Sequence, residues 1–145
     1  MALHNLALSL HLWRPLVGPE TQLFYFLPGI QHKLIRKMRA GKIAIEATLD
    51  LHQNSKEQAR TALLQFLSNA YEQECRCVSI IHGKGRKMDE PPLLKNLVNH
   101  WLPEIPIVLG YCSCPAFLGG SGAVLVLLKY KPFEPEGLEA LKINI

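Results

Sequence analysis

Residues 48–85 read TLDLHQNSKEQARTALLQFLSNAYEQECRCVSIIHGKG, and this stretch decides the fold. It opens on Thr48-Leu49-Asp50-Leu51-His52, where polar and apolar residues alternate with the period of a half-buried strand. Ser55 follows, with Gln58 three residues on, the signature of a capping box. Ala59, Ala62, Leu63, Phe66, Leu67, Ala70 and Tyr71 then recur at the i, i+3, i+4 spacing of a helix with one apolar face. Val78-Ser79-Ile80-Ile81 is a short apolar run of strand length, and it leads into His82-Gly83-Lys84-Gly85-Arg86-Lys87. Strand, helix and strand in this order imply a parallel pair joined by a right-handed crossover.

The pattern continues downstream. Residues 89–92 can open a second helix, since proline is tolerated in a first turn. Its stripe is Leu93, Leu94, Leu97, Val98, Trp101 and Leu102, and Pro103 stops it. Residues 107–114 read as a third strand. Gly119-Gly120-Ser121-Gly122 is a loop, and residues 123–129 form a fourth strand that can run antiparallel. The order is β-α-β-α-β-β. The expected class is α/β (an α+β two-layer sandwich), with a mixed four-stranded sheet and both main helices on one face.

Upstream, residues 1–27 are apolar and aromatic without a clear period. They suggest an arm that packs on the body or on another chain, which would give self-association. A short helix is expected over residues 30–40, with Ile30, Leu34 and Met38 on one stripe and Gly41 at its C-terminal cap. The expected division is an arm with a basic helix over 1–42, a main domain over 43–131 and a tail over 132–145 with a turn near 137–142.

The chain has 145 residues, 48% hydrophobic and 19% charged, which excludes a wholly disordered protein. No run approaches the ~18 apolar residues of a membrane helix. The N-terminus lacks the basic start of a signal peptide, so a cytoplasmic protein without a membrane partner is expected. The four cysteines, Cys75-x-Cys77 and Cys112-x-Cys114, do not suggest a disulfide framework there. Their one-residue spacing is also shorter than that of structural zinc sites. On a strand it puts both sulfurs on one face, which packing explains as well. His4, His11, His32 and His100 have no partner pattern and read as surface residues.

The net charge of +4 is unevenly spread. Residues 1–42 hold Arg14, Lys33, Arg36, Lys37, Arg39 and Lys42 against Glu20 alone, while the remaining chain is close to neutral. A basic arm on a neutral body fits either a polyanionic partner or a solvated helix face.

Ligands of open α/β sheets gather beyond the carboxyl ends of parallel strands. Two clusters fall there: Asp50 with His52, and residues 82–87. Glycines let backbone N–H groups approach an anion, and a helix N-terminus adds positive potential. Lys84, Arg86 and Lys87 can neutralise phosphate. His52 and His82 are expected to titrate near neutrality, as general acids or bases. Asp50 can orient a histidine, act as a base or hold a divalent metal. Each cluster alone also has an ordinary reading. Asp50 can cap the following turn, and the glycine stretches can be flexible loops.

Leu49-Asp50-Leu51-His52, a helix, Ile81-His82-Gly83-Lys84-Gly85, and Gly119-Gly120-Ser121-Gly122-Ala123 before a strand together resemble the small MutS-related (Smr) domain over residues 46–130. Pro28-Gly29-Ile30-Gln31, the basic helix, Gly41 and Glu46-Ala47 are similar to the stand-alone bacterial Smr proteins of the DNA endonuclease type. The resemblance implies a β-α-β-α-β-β sandwich similar to the C-terminal domain of a translation initiation factor. It implies nicking or endonuclease activity on DNA, with RNA cleavage in some members. It ties Asp50, His52, His82, Gly83 and Gly85 to activity. Metal dependence varies in the family, so Mg2+ or Mn2+ is the cofactor expectation. One departure stands out: the family motif reads Leu-Asp-Leu-His-Gly, and Gln53 occupies the glycine position.

The expected function is therefore a nucleic-acid endonuclease, more readily on DNA than RNA. Asp50, His52 and His82 would be catalytic, with His82 as the general acid or base. Gly83, Lys84, Gly85, Arg86, Lys87, Gly119, Gly120 and Gly122 would hold phosphate, with backbone contacts from Lys33, Arg36 and Lys37. A non-catalytic DNA- or RNA-binding module and a protein-interaction domain are the alternatives.

Overall fold

The structure is a computed structural model that describes residues 3, 6–12, 15–85 and 91–132. Arg14, Arg86, Lys87 and the turn expected near 137–142 lie outside the described residues. The elements are β1 (Phe24–Phe26), α1 (His32–Arg39), β2 (Thr48–Asp50), α2 (Lys56–Glu72), β3 (Cys77–Ile81), α3 (Leu93–Trp101), β4 (Val108–Ser113) and β5 (Ala123–Leu128). Short 3-10 turns occupy Leu102–Glu104, Ala116–Leu118 and Gly120–Gly122.

The strands form one sheet in the order β1-β4-β5-β3-β2. β2 and β3 are parallel, as the βαβ reading requires. β5 inserts between β3 and β4 and is antiparallel to both. All six residues of β5 are buried, which fits its unbroken apolar sequence at the centre of the sheet.

The sheet has five strands where four were expected. The fifth is β1, which pairs antiparallel with β4 through Tyr25 opposite Tyr111. Three residues in an aromatic stretch carry too little periodicity to announce a strand. Their partner is far along the chain, and Gly110 leaves the space that the Phe26 ring fills.

Both main helices cover one face, as expected. Leu63, Leu67, Leu97, Val98 and Trp101 pack there with Val78, Ile80, Tyr111, Val124 and Val126. The alternate strand residues Cys77, Cys112, Leu125 and Leu127 face the other way and are covered by Met38, Ile30 and Leu34 around α1. Beside the two layers expected, the short basic helix α1 covers part of the opposite sheet face, which is apolar too. α2 starts with the expected capping box, Ser55 Oγ accepting from Gln58 N and Gln58 Oε1 accepting from Ser55 N.

The arm packs on its own body. Leu3, Leu8 and Leu23 enter the main core. Trp101 Nε1 donates to the Ser9 carbonyl, and Asn96 exchanges hydrogen bonds with Val17 N and O. This corrects the reading of α3 as a helix with a simple apolar stripe. Leu93 is exposed, whereas Lys95, Asn96 and His100 are buried. His100 is thus no surface residue; its Nδ1 bonds to the Asn96 carbonyl.

Candidate functional site

β2 and β3 end side by side, with Asp50 opposite Ile81 and Leu51 N donating to the Ile81 carbonyl at 2.7 Å. β5 starts at the same edge, with Ala123 opposite Ile81. The three stretches singled out in the sequence therefore meet. His82 N and Gly83 N both donate to the Gly122 carbonyl, at 3.1 and 2.9 Å. A Cβ at Gly83 would lie 3.8 Å from the Cβ of His52, and one at Gly122 would lie 3.4 Å from Lys84 Cγ. Gly83 and Gly85 have φ of 81° and 92°, backbone that side chains rarely adopt, and Gly85 also packs closely on Pro92.

The strand ends at Asp50, so His52 lies in the following turn rather than on the strand. Asp50 Oδ1 accepts from His52 N at 3.0 Å and lies 2.5 Å from His52 Nδ1. A carboxylate only accepts, so Nδ1 carries the proton and Nε2 is left as the ring's free base position. The bond to His52 holds the Asp50 carboxyl below its usual range, against an opposing effect of burial. Both side chains are about half exposed, at 48% for Asp50 and 56% for His52.

His82 is different. It is 3% exposed, Nδ1 donates to the Gly83 carbonyl at 2.7 Å, and Nε2 is buried without a hydrogen-bond partner. Burial lowers its pKa to about 4, the Gly83 bond opposes that, and the Lys95 charge adds to it. Burial thus favours the neutral ring, and the Nδ1 bond ties it to the glycine loop.

A cleft of about 500 Å³ lies between the turn at 52–54, the loop at 82–85 and the start of α3 at 91–94. The Leu93 and Leu94 N–H groups precede the first helical hydrogen bond, from Asn96 N to the Pro92 carbonyl, and add positive potential there. Lys33, Arg36 and Lys37 are exposed on α1 and do not line this cleft.

Lys84 Nζ lies 3.2 Å from Glu20 Oε1, and Ser121 Oγ donates to Glu20 Oε2 at 3.2 Å. Lys84 chiefly, then Ser121, lowers the Glu20 pKa, so this carboxylate is charged at neutral pH. The flanking carbonyls of Pro19 and Thr21 accept from Lys95 Nζ, at 3.0 and 2.6 Å. Burial lowers the Lys95 pKa to about 8, partly opposed by Glu20. The arm thus delivers a carboxylate to the cation of the glycine loop.

Residues 49–129 match the Smr domain family model. The chain belongs to the Smr domain family. Among curated proteins it is 36% identical to Escherichia coli "Probable DNA endonuclease SmrA" over 102 residues, 70% of this chain and 54% of that protein. It is 29% identical to the Erwinia tasmaniensis "Ribosome rescue factor SmrB" over 126 residues, 87% of this chain and 66% of that protein. The chain therefore spans between half and two thirds of these relatives' lengths. Among solved structures it resembles Escherichia coli YdaL, a stand-alone small MutS-related protein, with a TM-score of 0.70 and 32% identity. That match covers 86% of this chain and 98% of YdaL. The Smr domain of Thermus thermophilus MutS2 matches at a TM-score of 0.52 and 23% identity, a likeness of fold, covering 57% of this chain and 98% of that one.

In this Smr domain Gln53 has φ 71°, a left-handed backbone that a glycine would adopt freely and a glutamine does not. Among the described residues no three His, Cys, Asp or Glu side chains form a group that could hold a metal. Asp50, the residue expected to hold a divalent metal, has Oδ1 engaged by His52. Cys77, Cys112 and Cys114 sit together in the core under α1, whereas Cys75, just before β3, faces the other core. Cys75 and Cys77 therefore do not share a face. Burial raises the thiol pKa of Cys77 to about 12 and those of Cys112 and Cys114 to about 11.

Glu20, Lys95 and Asn96 were not among the expected site residues. Glu20 stood out only as the single acid of a basic arm. Nothing local marks Lys95, because a lysine beside an apolar stripe ordinarily reads as solvent-facing.

Proposed function

We propose that this Smr domain is a nucleic-acid endonuclease whose general base is His52, oriented by Asp50. The observation that carries the reading is the 2.5 Å contact between Asp50 Oδ1 and His52 Nδ1 at the mouth of a cleft bordered by Lys84. His52 Nε2 takes the proton of the attacking hydroxyl, from water or from an RNA 2′-OH. The new O–P bond forms as the P–O bond to the leaving oxygen breaks, and the imidazolium returns the proton to that oxygen. Lys84 and the α3 N-terminus hold the phosphate, on a loop whose His82 and Gly83 N–H groups are tied to the Gly122 carbonyl. His82 keeps the loop in place and stays neutral. A relative named a probable DNA endonuclease supports a phosphodiester substrate, and one named a ribosome rescue factor keeps RNA in view beside DNA.

A binding module without cleavage is the second reading, favoured by Gln53 at the cleft wall and by Glu20 on Lys84. The test is cleavage of supercoiled plasmid and of labelled single-stranded RNA, side by side, with Mg2+, Mn2+ or EDTA. Asp50→Asn and His52→Ala should lower the cleavage rate by about 10²–10⁴-fold while binding persists. Binding without any product from the native protein would leave the second reading. Cleavage that survives His52→Ala would overturn the assignment of the base.

A further inference from the structure

The same sheet edge continues past the glycine loop onto a surface that the cleft does not use. Phe117, in the Ala116–Leu118 turn, is 73% exposed, and Phe24 at the start of β1 is 55% exposed. Both lie by the C-terminal end of α1. The Phe117 ring edge rests on Gly41, where a Cβ would come within 2.7 Å of Cζ. The Arg39 guanidinium sits 5.4 Å from the centroid of the Phe24 ring. α1 itself carries Lys33, Arg36, Lys37 and Arg39 and no acid. A single exposed aromatic is ordinary on a protein surface. Two at the end of a helix without acids, one with Arg39 over its ring and the other in the turn that leads through Gly119–Gly122 to Lys84, have the composition of a stacking platform for bases.

We propose that Phe117, with the Arg39–Phe24 pair beside it, stacks the unpaired bases of a single nucleic-acid strand whose phosphates run from Lys84 towards α1. The inference rests on the nucleic-acid reading above and adds a preference for unpaired strand. Bases in a duplex are already stacked on their neighbours and offer no free face. A strand laid across this edge places its backbone along Lys84 and α1 and its bases over the rings, so both chemistries of the surface are matched.

The test is fluorescence anisotropy of the full chain with labelled oligothymidine and oligouridine, and with a hairpin duplex, for the native protein and three variants. Phe117→Ala should weaken binding of the single strands by about fivefold to a hundredfold and leave the duplex unchanged. Phe117→Trp should restore single-strand affinity. Lys84→Ala should weaken single strand and duplex alike and reduce the salt dependence. Phe117 is exposed, and an unchanged circular dichroism spectrum and melting temperature would establish that the variants fold. Unchanged single-strand affinity in Phe117→Ala, with the Lys84→Ala loss intact, would overturn the stacking surface and spare the nucleic-acid reading. Equal losses on single strand and duplex would also overturn stacking. Absence of salt-dependent binding by the native protein would overturn both.

Discussion

A buried neutral histidine makes stability depend on pH in a calculable window. His82 has a folded pKa of about 4, against an ordinary value of 6.5. Between these values the unfolded chain binds a proton that the folded chain refuses, so stability falls as pH drops from about 6.5 towards 4. Above 6.5 the ring is neutral in both states and the full contribution is present. The shift is worth about 3 kcal/mol over the whole window, a large share of the 5–15 kcal/mol of a typical domain. His82→Asn removes the titrating ring but keeps an amide N–H that can donate to the Gly83 carbonyl. At pH 7 it should cost about 1–3 kcal/mol through the space left behind. Urea unfolding at pH 7 and pH 4.5, followed by fluorescence of the buried Trp101, gives the stability gap between native protein and variant. That gap should narrow by about 2–3 kcal/mol at the lower pH. The lowered carboxyl pKa values of Asp50 and Glu20 act chiefly below their ordinary values of 3.8 and 4.5 and are common to both proteins, so they cancel. A gap that does not change with pH would refute the buried, neutral state of His82. It would also return the ring to consideration as an acid at neutral pH.

Glu20→Gln leaves Lys84 without its carboxylate, so affinity for a nucleic-acid strand should rise by roughly a few-fold at low salt, and the gain should vanish at high salt. Equal affinity in anisotropy titrations would mean that Lys84 does not meet phosphate. Gln53→Gly should raise the melting temperature by about 2 °C, because relief of left-handed strain of about 1–2 kcal/mol exceeds the extra chain entropy of glycine. A lower melting temperature in calorimetry would show that the Gln53 side chain contributes more than its backbone costs. Gly110→Ala drives a Cβ into the Phe26 ring and the Tyr25 carbonyl. It should cost about 1–3 kcal/mol in urea unfolding and speed hydrogen exchange in β1 ahead of the other strands.

What could be read from the sequence was local. The capping box at Ser55 and Gln58, the helical spacing from Ala59 to Tyr71 and the unbroken apolar run of β5 each state their structure within a few residues. The motifs at strand ends were legible for the same reason, since a strand's end fixes where the next residues emerge. What escaped depended on partners distant in sequence. β1 exists because Gly110 admits Phe26. Lys95 is buried because the carbonyls of Pro19 and Thr21, far upstream, accept hydrogen bonds from its Nζ. Cys75 and Cys77 part company because β3 begins only at Cys77, so the one-residue spacing is not a strand spacing there.

The division of labour between the two histidines follows from strand order, which motif spacing does not contain. Each histidine closes a short motif just past a parallel strand, so composition alone makes them equivalent. β2, however, is the sheet's edge, and its turn opens to solvent. His52 therefore emerges beside the acid that ends its strand, half exposed and oriented by it. β3 lies inside, with β2 on one side and β5 on the other. Ile80 faces the α2 and α3 layer and Ile81 the opposite one, so the alternation returns His82 towards the α2 and α3 side, near enough for the Lys95 charge to be felt. Had β5 added outside β2 rather than between β3 and β4, β2 would be interior and its histidine the sheltered one. The insertion of β5 thus leaves the Asp50–His52 pair half exposed at the open edge, and His82 buried and bonded to the Gly83 carbonyl.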